Sequence, residues 1–255
     1  MPDLALIGRV CLRTWTKTAR RPVVLVFGFL QPLMWMGFFG FLFQRYAIAD
    51  AAAGFRYLDY LVPGICVMTL LFGSSQAGTG LIRDLQTGFA QRMLLSPAAP
   101  ASMFLGKLAA DVARLLLQAL VVGAVGFLLG ARFHVRPGPL MVACAWMVLF
   151  AGAYASLSCL IALATRSQET MGVFIQVVNM PILFTSSILV PRRQMPAWLA
   201  GAAEWNPVSA VVDALRYALS QYGHPPPLWG LVPAACAGAV LAALGAARMA
   251  AIRRD

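Results

Sequence analysis

Six long apolar runs constrain this chain more than any motif in it. They occupy residues 23–43, 60–81, 101–130, 140–164, 171–190 and 228–247. A helix rises about 1.5 Å per residue and the hydrocarbon of a bilayer is about 30 Å thick, so about twenty apolar residues reach across it. A soluble protein of 255 residues has no core large enough to hide six such runs. In lipid each run must satisfy its own backbone polar groups, and a helix does this alone. The expectation is an all-α, polytopic membrane protein with six transmembrane helices, forming one membrane domain over residues 1–255.

Charge agrees with this. Charged residues make up 11% of the chain and hydrophobic ones 60%, against about 25% charged in a soluble domain. The net charge of +11 raises the question of nucleic acid, but the basic residues do not gather on one soluble face. They lie in the short segments between runs, where Lys and Arg set orientation. With the N-terminus inside, twelve fall on the cytoplasmic side, among them Arg9, Lys17, Arg83, Arg92, Lys107 and Arg248. Seven fall outside: Arg45, Arg56, Arg132, Arg136, Arg192, Arg193 and Arg216. The bias predicts N-in, and an even number of spans puts the C-terminus inside too. The first run exceeds the roughly 7–15 apolar residues of a signal-peptide core, so it is expected to be retained. The five cysteines are scattered through apolar stretches without a CxxC or Cys/His cluster. They read as small apolar packers, not as a disulfide framework or a metal site.

The polar segments are more informative than their length suggests. Residues 3–21 carry Arg9, Arg13, Lys17 and Arg21 every four residues against Leu4, Ile7, Cys11 and Trp15, the pattern of an amphipathic helix lying on the cytoplasmic surface. Residues 83–97 connect runs two and three. They hold Asp84, Gly88 and Arg92 at four-residue spacing beside Phe89, Met93, Leu94 and Leu95. A short surface helix that shows both charge and apolar surface suits a partner protein or the lipid surface.

The third run bears Lys107, Asp111, Arg114 and Gln118 on one helix face. A charge at the bilayer centre costs about 2.5–3.5 kcal/mol on insertion scales. The run is longer than the hydrocarbon needs, so the expectation is a protruding helix with Lys107 outside and Asp111 at the boundary. Arg114 would then snorkel to water or pair with Asp111. Residues 191–227 read as an outer helical hairpin before the last span, with Trp198 and Trp205 at an interface and Asn206-Pro207 opening a helix.

Catalytic patterns are missing from the sequence. No G-x-x-x-x-G-K-[ST] loop occurs, since Gly106-Lys107 is followed by Leu108. The two histidines, His134 and His224, lie in different outer segments, and the nine acids are dispersed. No catalytic residue and no metal ligand is therefore expected.

Two stretches carry a resemblance. Residues 80–114 (GLIRDLQTGFAQRMLLSPAAPASMFLGKLAADVAR) run from an acid through Gly, Arg-Met-Leu and Ser-Pro to a Gly-Lys that leads the third span. Residues 195–217 contain Pro196-x-Trp198, Asn206-Pro207 and Ala214-x-Arg216. In these the chain resembles the permease subunits of ABC-2 type exporters, particularly the daunorubicin-exporter and nodulation-factor-exporter branch. Gln91 stands where an acid often precedes the arginine, and Asp84 supplies the upstream negative charge.

The resemblance implies a transport subunit of the bacterial plasma membrane, not an enzyme. Residues 83–97 would form a coupling helix that docks a separate ABC nucleotide-binding subunit through Asp84, Gly88, Phe89, Arg92, Met93 and Leu94. Two permeases and two such subunits would work together, with ATP and Mg held by the partner and no cofactor in this chain. The translocation path would run between two permease copies near runs one, two and five. There the candidates are Gln31, Trp35, Ser74, Gln76, Gln176, Asn179 and Thr185, each equally open to a role as interhelical glue. The cargo would be an amphipathic drug, a lipid or a lipid-linked saccharide. A membrane-embedded enzyme or assembly factor acting on lipid is the alternative.

Overall fold

The computed structural model describes residue 8 and residues 22–43, 56–87, 100–220 and 230–252. The described backbone is helical apart from short turns, with no strand among the described residues. The helices are α1 (Pro22–Leu42), α2 (Tyr57–Gln86), α3 (Pro100–Leu128), α4 (Pro137–Thr165), α5 (Gln168–Phe184), α6 (Ala197–Trp205), α7 (Pro207–Ser220) and α8 (Leu231–Ile252), with one 3-10 turn at Arg192–Gln194. Among the described residues α2, α3, α4 and α8 are long and apolar enough to cross a membrane. Helix α1 has 21 residues and α5 has 17, and each holds an internal proline, Pro32 and Pro181. The chain is thus an all-helical, polytopic membrane protein.

Local chemistry sets the helix ends. At the start of α2 the Asp59 carboxylate accepts the Arg56 N–H at 2.9 Å and also the Arg132 N–H at 2.6 Å, which ties the α3–α4 loop to this end. Pro137 begins α4, where its missing N–H is not needed. Arg166 ends α4 with φ 52, and Ser167 Oγ then caps α5 by accepting the Thr170 N–H. Asn206 Oδ1 accepts the Val208 N–H, so α7 opens with an Asn cap and Pro207, as its sequence predicts.

Helix α2 is the axis of the bundle, because α1, α3, α4, α5 and α7 all pack on it. Nearly every residue from Tyr57 to Phe72 is buried. Such a helix has no single apolar stripe, since all its sides meet protein. Small residues let the backbones approach, the usual means of helix association in lipid. A methyl on Gly78 would stand 2.4 Å from the Ser158 carbonyl oxygen of α4, and one on Gly126 of α3 would meet Val62 at 2.6 Å. Helix α8 lies outside, against α4 and α3, with the Phe104 ring seated on Gly245.

The structure departs from the sequence reading in four places. The fifth run does not continue as helix to 190: α5 stops at Phe184 and residues 185–190 turn. Pro181 precedes the break, Thr185 Oγ1 donates to the Pro181 carbonyl, and Ser186 Oγ donates to the Leu183 carbonyl. Side chains here take over bonds that a continuing helix would make. On the third run Asp111 is paired with Lys107 and not with Arg114: the Lys107 side chain, 13% exposed, lies 2.7 Å from Asp111, which is 10% exposed. Arg114 bonds Gln118 instead of Asp111. Arg216, counted above as an outer loop charge, is 1% exposed. Residues 83–86 are the last turn of α2, not the start of a separate helix. Residues 88–97, and the amphipathic segment 3–21 apart from Gly8, lie outside the described residues.

Candidate functional site

The polar side chains of an apolar bundle divide into those tied inward and those left facing out, and this division defines the site. At the level of Ser75 three helices are tied together. Asn179 Nδ2 of α5 donates to Ser75 Oγ of α2 at 2.8 Å, and Tyr154 OH of α4 donates to Asn179 Oδ1 at 2.8 Å. Ser158 Oγ donates to the Ser75 carbonyl and accepts the Gly78 N–H at 3.1 Å. One face of α5 is thereby fixed to α2 and α4. Asn179 belongs to the interhelical glue that the sequence left open. Its partners Ser75 and Tyr154 were not candidates, and only the pairing of α2 with α5 brings the three together.

A second tie closes the end of the bundle where α2 begins and α7 packs. The Arg216 guanidinium of α7 donates through Nη1 to the Ser187 carbonyl at 2.6 Å, through Nη2 to the Ile188 carbonyl at 2.8 Å, and through Nε to the Tyr60 carbonyl at 3.0 Å. It lies 3.4 Å from the centroid of the Tyr60 ring, a cation–π contact. Tyr60 OH donates to the same Ser187 carbonyl at 2.7 Å. Gly64 leaves the room: a methyl there would stand 2.6 Å from the Ile188 oxygen and 3.1 Å from Nη2. Asp213 lies 3.8 Å from Arg216 and pairs with Arg192 at 2.6 Å. Thr185, a path candidate, accepts a bond from Asn206 Nδ2 at 3.1 Å, so it joins α5 to the hairpin. His134 N–H and Arg136 N–H meet the last carbonyls of α7, those of Leu219 and Ala218.

The remaining path candidates separate by exposure. Gln31 on α1, Gln76 on α2 and Gln176 on α5 are exposed. Trp35 is half-buried and stacks on Phe39 with centroids 5.3 Å apart. Ser74 is sealed inside, and its Oγ has no hydrogen-bond partner among the described residues. Three amides on three neighbouring helices therefore face outward from segments that are otherwise apolar. On α1 the same side carries Leu30, Met34 and Phe38, and on α5 Val173 and Val177. Of the docking candidates, Asp84 sits half-buried on the last turn of α2. Gly88, Phe89, Arg92, Met93 and Leu94 lie outside the described residues. Near Asp84, Gln168 Nε2 at the start of α5 donates to Gln86 Oε1 at 2.6 Å, holding the two helix ends together on that side.

Comparison with known proteins points the same way. The family described as ABC-2 type transporter matches residues 6–220. The chain is similar to the transport permease ycf38 of Cyanophora paradoxa, 31% identical over 209 residues, which is 82% of this chain and 72% of the relative. It is also similar to the daunorubicin resistance ABC transporter permease protein DrrB1 of Streptomyces coeruleorubidus, 30% identical over 199 residues, 76% of this chain and 68% of that one. The doxorubicin resistance ABC transporter permease protein DrrC of Mycobacterium tuberculosis is 25% identical over 204 residues, covering 80% and 73%. A bundle of this kind, matched over most of its length, is a multi-pass membrane permease, and the chain belongs to the ABC-2 type transporter family.

Proposed function

We propose that the chain is the membrane subunit of an ATP-driven exporter in the bacterial plasma membrane, moving an amphipathic drug, lipid or lipid-linked saccharide outward. In this reading all six apolar runs span, with both ends inside, and two permease copies work with two copies of a separate nucleotide-binding subunit. ATP and Mg belong to that subunit, as the chain's own sequence has no phosphate-binding loop. Segment 83–97 couples the two proteins, with Asp84, Gly88, Phe89, Arg92, Met93 and Leu94 as its contacts. The names of the daunorubicin and doxorubicin resistance relatives favour an amphipathic drug-like cargo.

One observation carries the reading: Gln31, Gln76 and Gln176 face outward from α1, α2 and α5. An amide left against hydrocarbon is costly, and it is tolerated where it meets water or another protein surface. A path between two copies along α1, α2 and α5 supplies both. Asn179, one turn on from Gln176, fixes that stretch of α5 to α2, while Gln176 itself stays exposed.

The test uses the chain reconstituted in liposomes with its ABC ATPase. Replacing Gly88 and Arg92 together (Gly88→Leu, Arg92→Glu) is expected to lower transport and permease-stimulated ATPase activity about tenfold or more, the size of effect seen at interface hot spots. The thermal unfolding of the bundle should stay where it was. Normal transport by the double variant overturns docking at 83–97, and ATP hydrolysis by the chain alone overturns the division of labour.

A further inference from the structure

On the exporter reading above, we infer that α3 carries a recognition site for the phosphate headgroup of an anionic amphiphile at the level of the cytoplasmic leaflet, with Arg114 as its principal cation and Gln76 beside it. The inference begins with an imbalance of charge. Among the described residues Lys107 pairs with Asp111, and Arg192 and Arg216 both lie beside Asp213. Asp111 is thus taken by Lys107, and Arg114 is left with one bond, Nη1 to Gln118 Oε1 at 3.4 Å. That bond is long and neutral on one side, and it leaves most of the guanidinium donors unused.

Depth makes this informative. Arg114 stands at the midpoint of α3, about 21 Å from either end. With the outer end of α3 at the outer edge of a hydrocarbon layer about 30 Å thick, Arg114 lies about 9 Å inside the inner edge. A cation at that depth persists where it reaches water or an anion. The arginine is half-buried, its side chain is long enough to snorkel from that depth to the phosphates, and its planar fork suits two phosphate oxygens.

Its neighbours fix which side of the bundle this is. A methyl on Gly73 of α2 would collide with Leu115, one on Gly80 would stand 3.5 Å from Lys107 Nζ, and one on Gly28 of α1 would stand 2.8 Å from Gln118 Nε2. Arg114 is therefore bracketed by residues that touch α2 and α1. Gln76, one turn from both Gly73 and Gly80, is the exposed residue on that stretch of α2. The basic edge of α3 and the outward amide of α2 thus border one side of the bundle, the side assigned above to the path. A polar head that is anionic satisfies Arg114, whereas a cationic head meets a net positive edge.

Binding is tested without nucleotide, so that its outcome is separate from that of coupled transport. The chain is placed in nanodiscs of phosphatidylcholine containing a minority of phosphatidylglycerol, and the lipids that stay bound are counted by native mass spectrometry. Preferential retention of phosphatidylglycerol is expected. Arg114→Gln, which can still bond Gln118, should cut the preference about fivefold, the worth of one basic group at an anionic surface. Arg114→Lys should keep most of it, and Arg132→Gln at the other end of the bundle should leave it unchanged. The inference is overturned if the unmodified protein shows no preference, if Arg114→Gln keeps it, if Arg114→Lys loses it as fully, or if Arg132→Gln loses it equally. Stripping of the preference by excess inorganic phosphate assigns the cation to a free anion and overturns the headgroup. Failure of ATP-coupled transport, by contrast, sinks the exporter reading and leaves this result standing.

Discussion

Arg216 shows how a single residue can hold an element that its own sequence neighbourhood does not explain. A buried cation is costly unless its donors are met, and here three carbonyl oxygens, the Tyr60 ring and the nearby Asp213 meet them. Two of those carbonyls, of Ser187 and Ile188, lie in the turn that follows α5. Arg216→Met is expected to lower stability by about 3–5 kcal/mol, the usual cost of leaving buried partners unmatched. Arg216→Lys keeps the charge but cannot reach three acceptors in a plane, so a smaller loss is expected. Thermal unfolding of the purified protein in detergent checks both, and an unchanged midpoint for Arg216→Met refutes the clamp. None of this was legible beforehand. Spacing shows that Asp213 and Arg216 share a helix face, but the partner Tyr60 lies 156 residues away. Asn179 shows the same limit, since its amide read equally well as path or as glue until Ser75 and Tyr154 stood beside it.

For whole helices the sequence was a better guide. A run that must satisfy its backbone inside lipid has little choice but helix, so α2, α3 and α4 extend a few residues beyond or fall close to their apolar runs. Helix α5 is the exception, because its end is decided by Pro181, by two hydroxyls and by Asn206, whose Nδ2 takes the Ile182 carbonyl at 2.8 Å. Hydropathy does not register such hydrogen bonds. The contact of α2 with α4 is likewise a matter of space more than of apolar character. Gly78 of α2 faces the Ser158 oxygen of α4, whereas Gly152 of α4 has nothing within 4 Å of an added methyl. Gly78→Val is therefore expected to cost about 1–3 kcal/mol through overpacking, and to disturb the Ser75–Asn179–Tyr154 network beside it. Gly152→Val should be tolerated. Comparison of the two unfolding midpoints decides the matter, and equal effects would show that the seam is not held by close approach.

The molecule as a whole has two kinds of outward surface, and on the proposal that two copies work together their difference favours one of them for pairing. From Leu231 to Ala247 the exposed side chains of helix α8 are apolar or small, such as Val232, Cys236, Ala237, Val240 and Leu244, and Arg248 follows only in its last turns. Helices α1, α2 and α5 show Gln31, Gln76 and Gln176 among theirs. Lipid tails reward no amide, whereas a symmetric partner offers each amide its own counterpart, because a two-fold interface brings the same patch from both copies together. The resemblance singles out runs one, two and five, but the exposure of these three amides was not legible, since an amide in an apolar run reads the same whether it points in or out. If pairing uses this face, a single cysteine at Gln176, in a chain whose natural cysteines are replaced by alanine, should cross-link two copies in native membranes under mild oxidation. A single cysteine at Ala237 on α8 should leave the chain monomeric on a denaturing gel. Cross-linking through Ala237 and not through Gln176 would move the partner to the opposite side and take the proposed path with it.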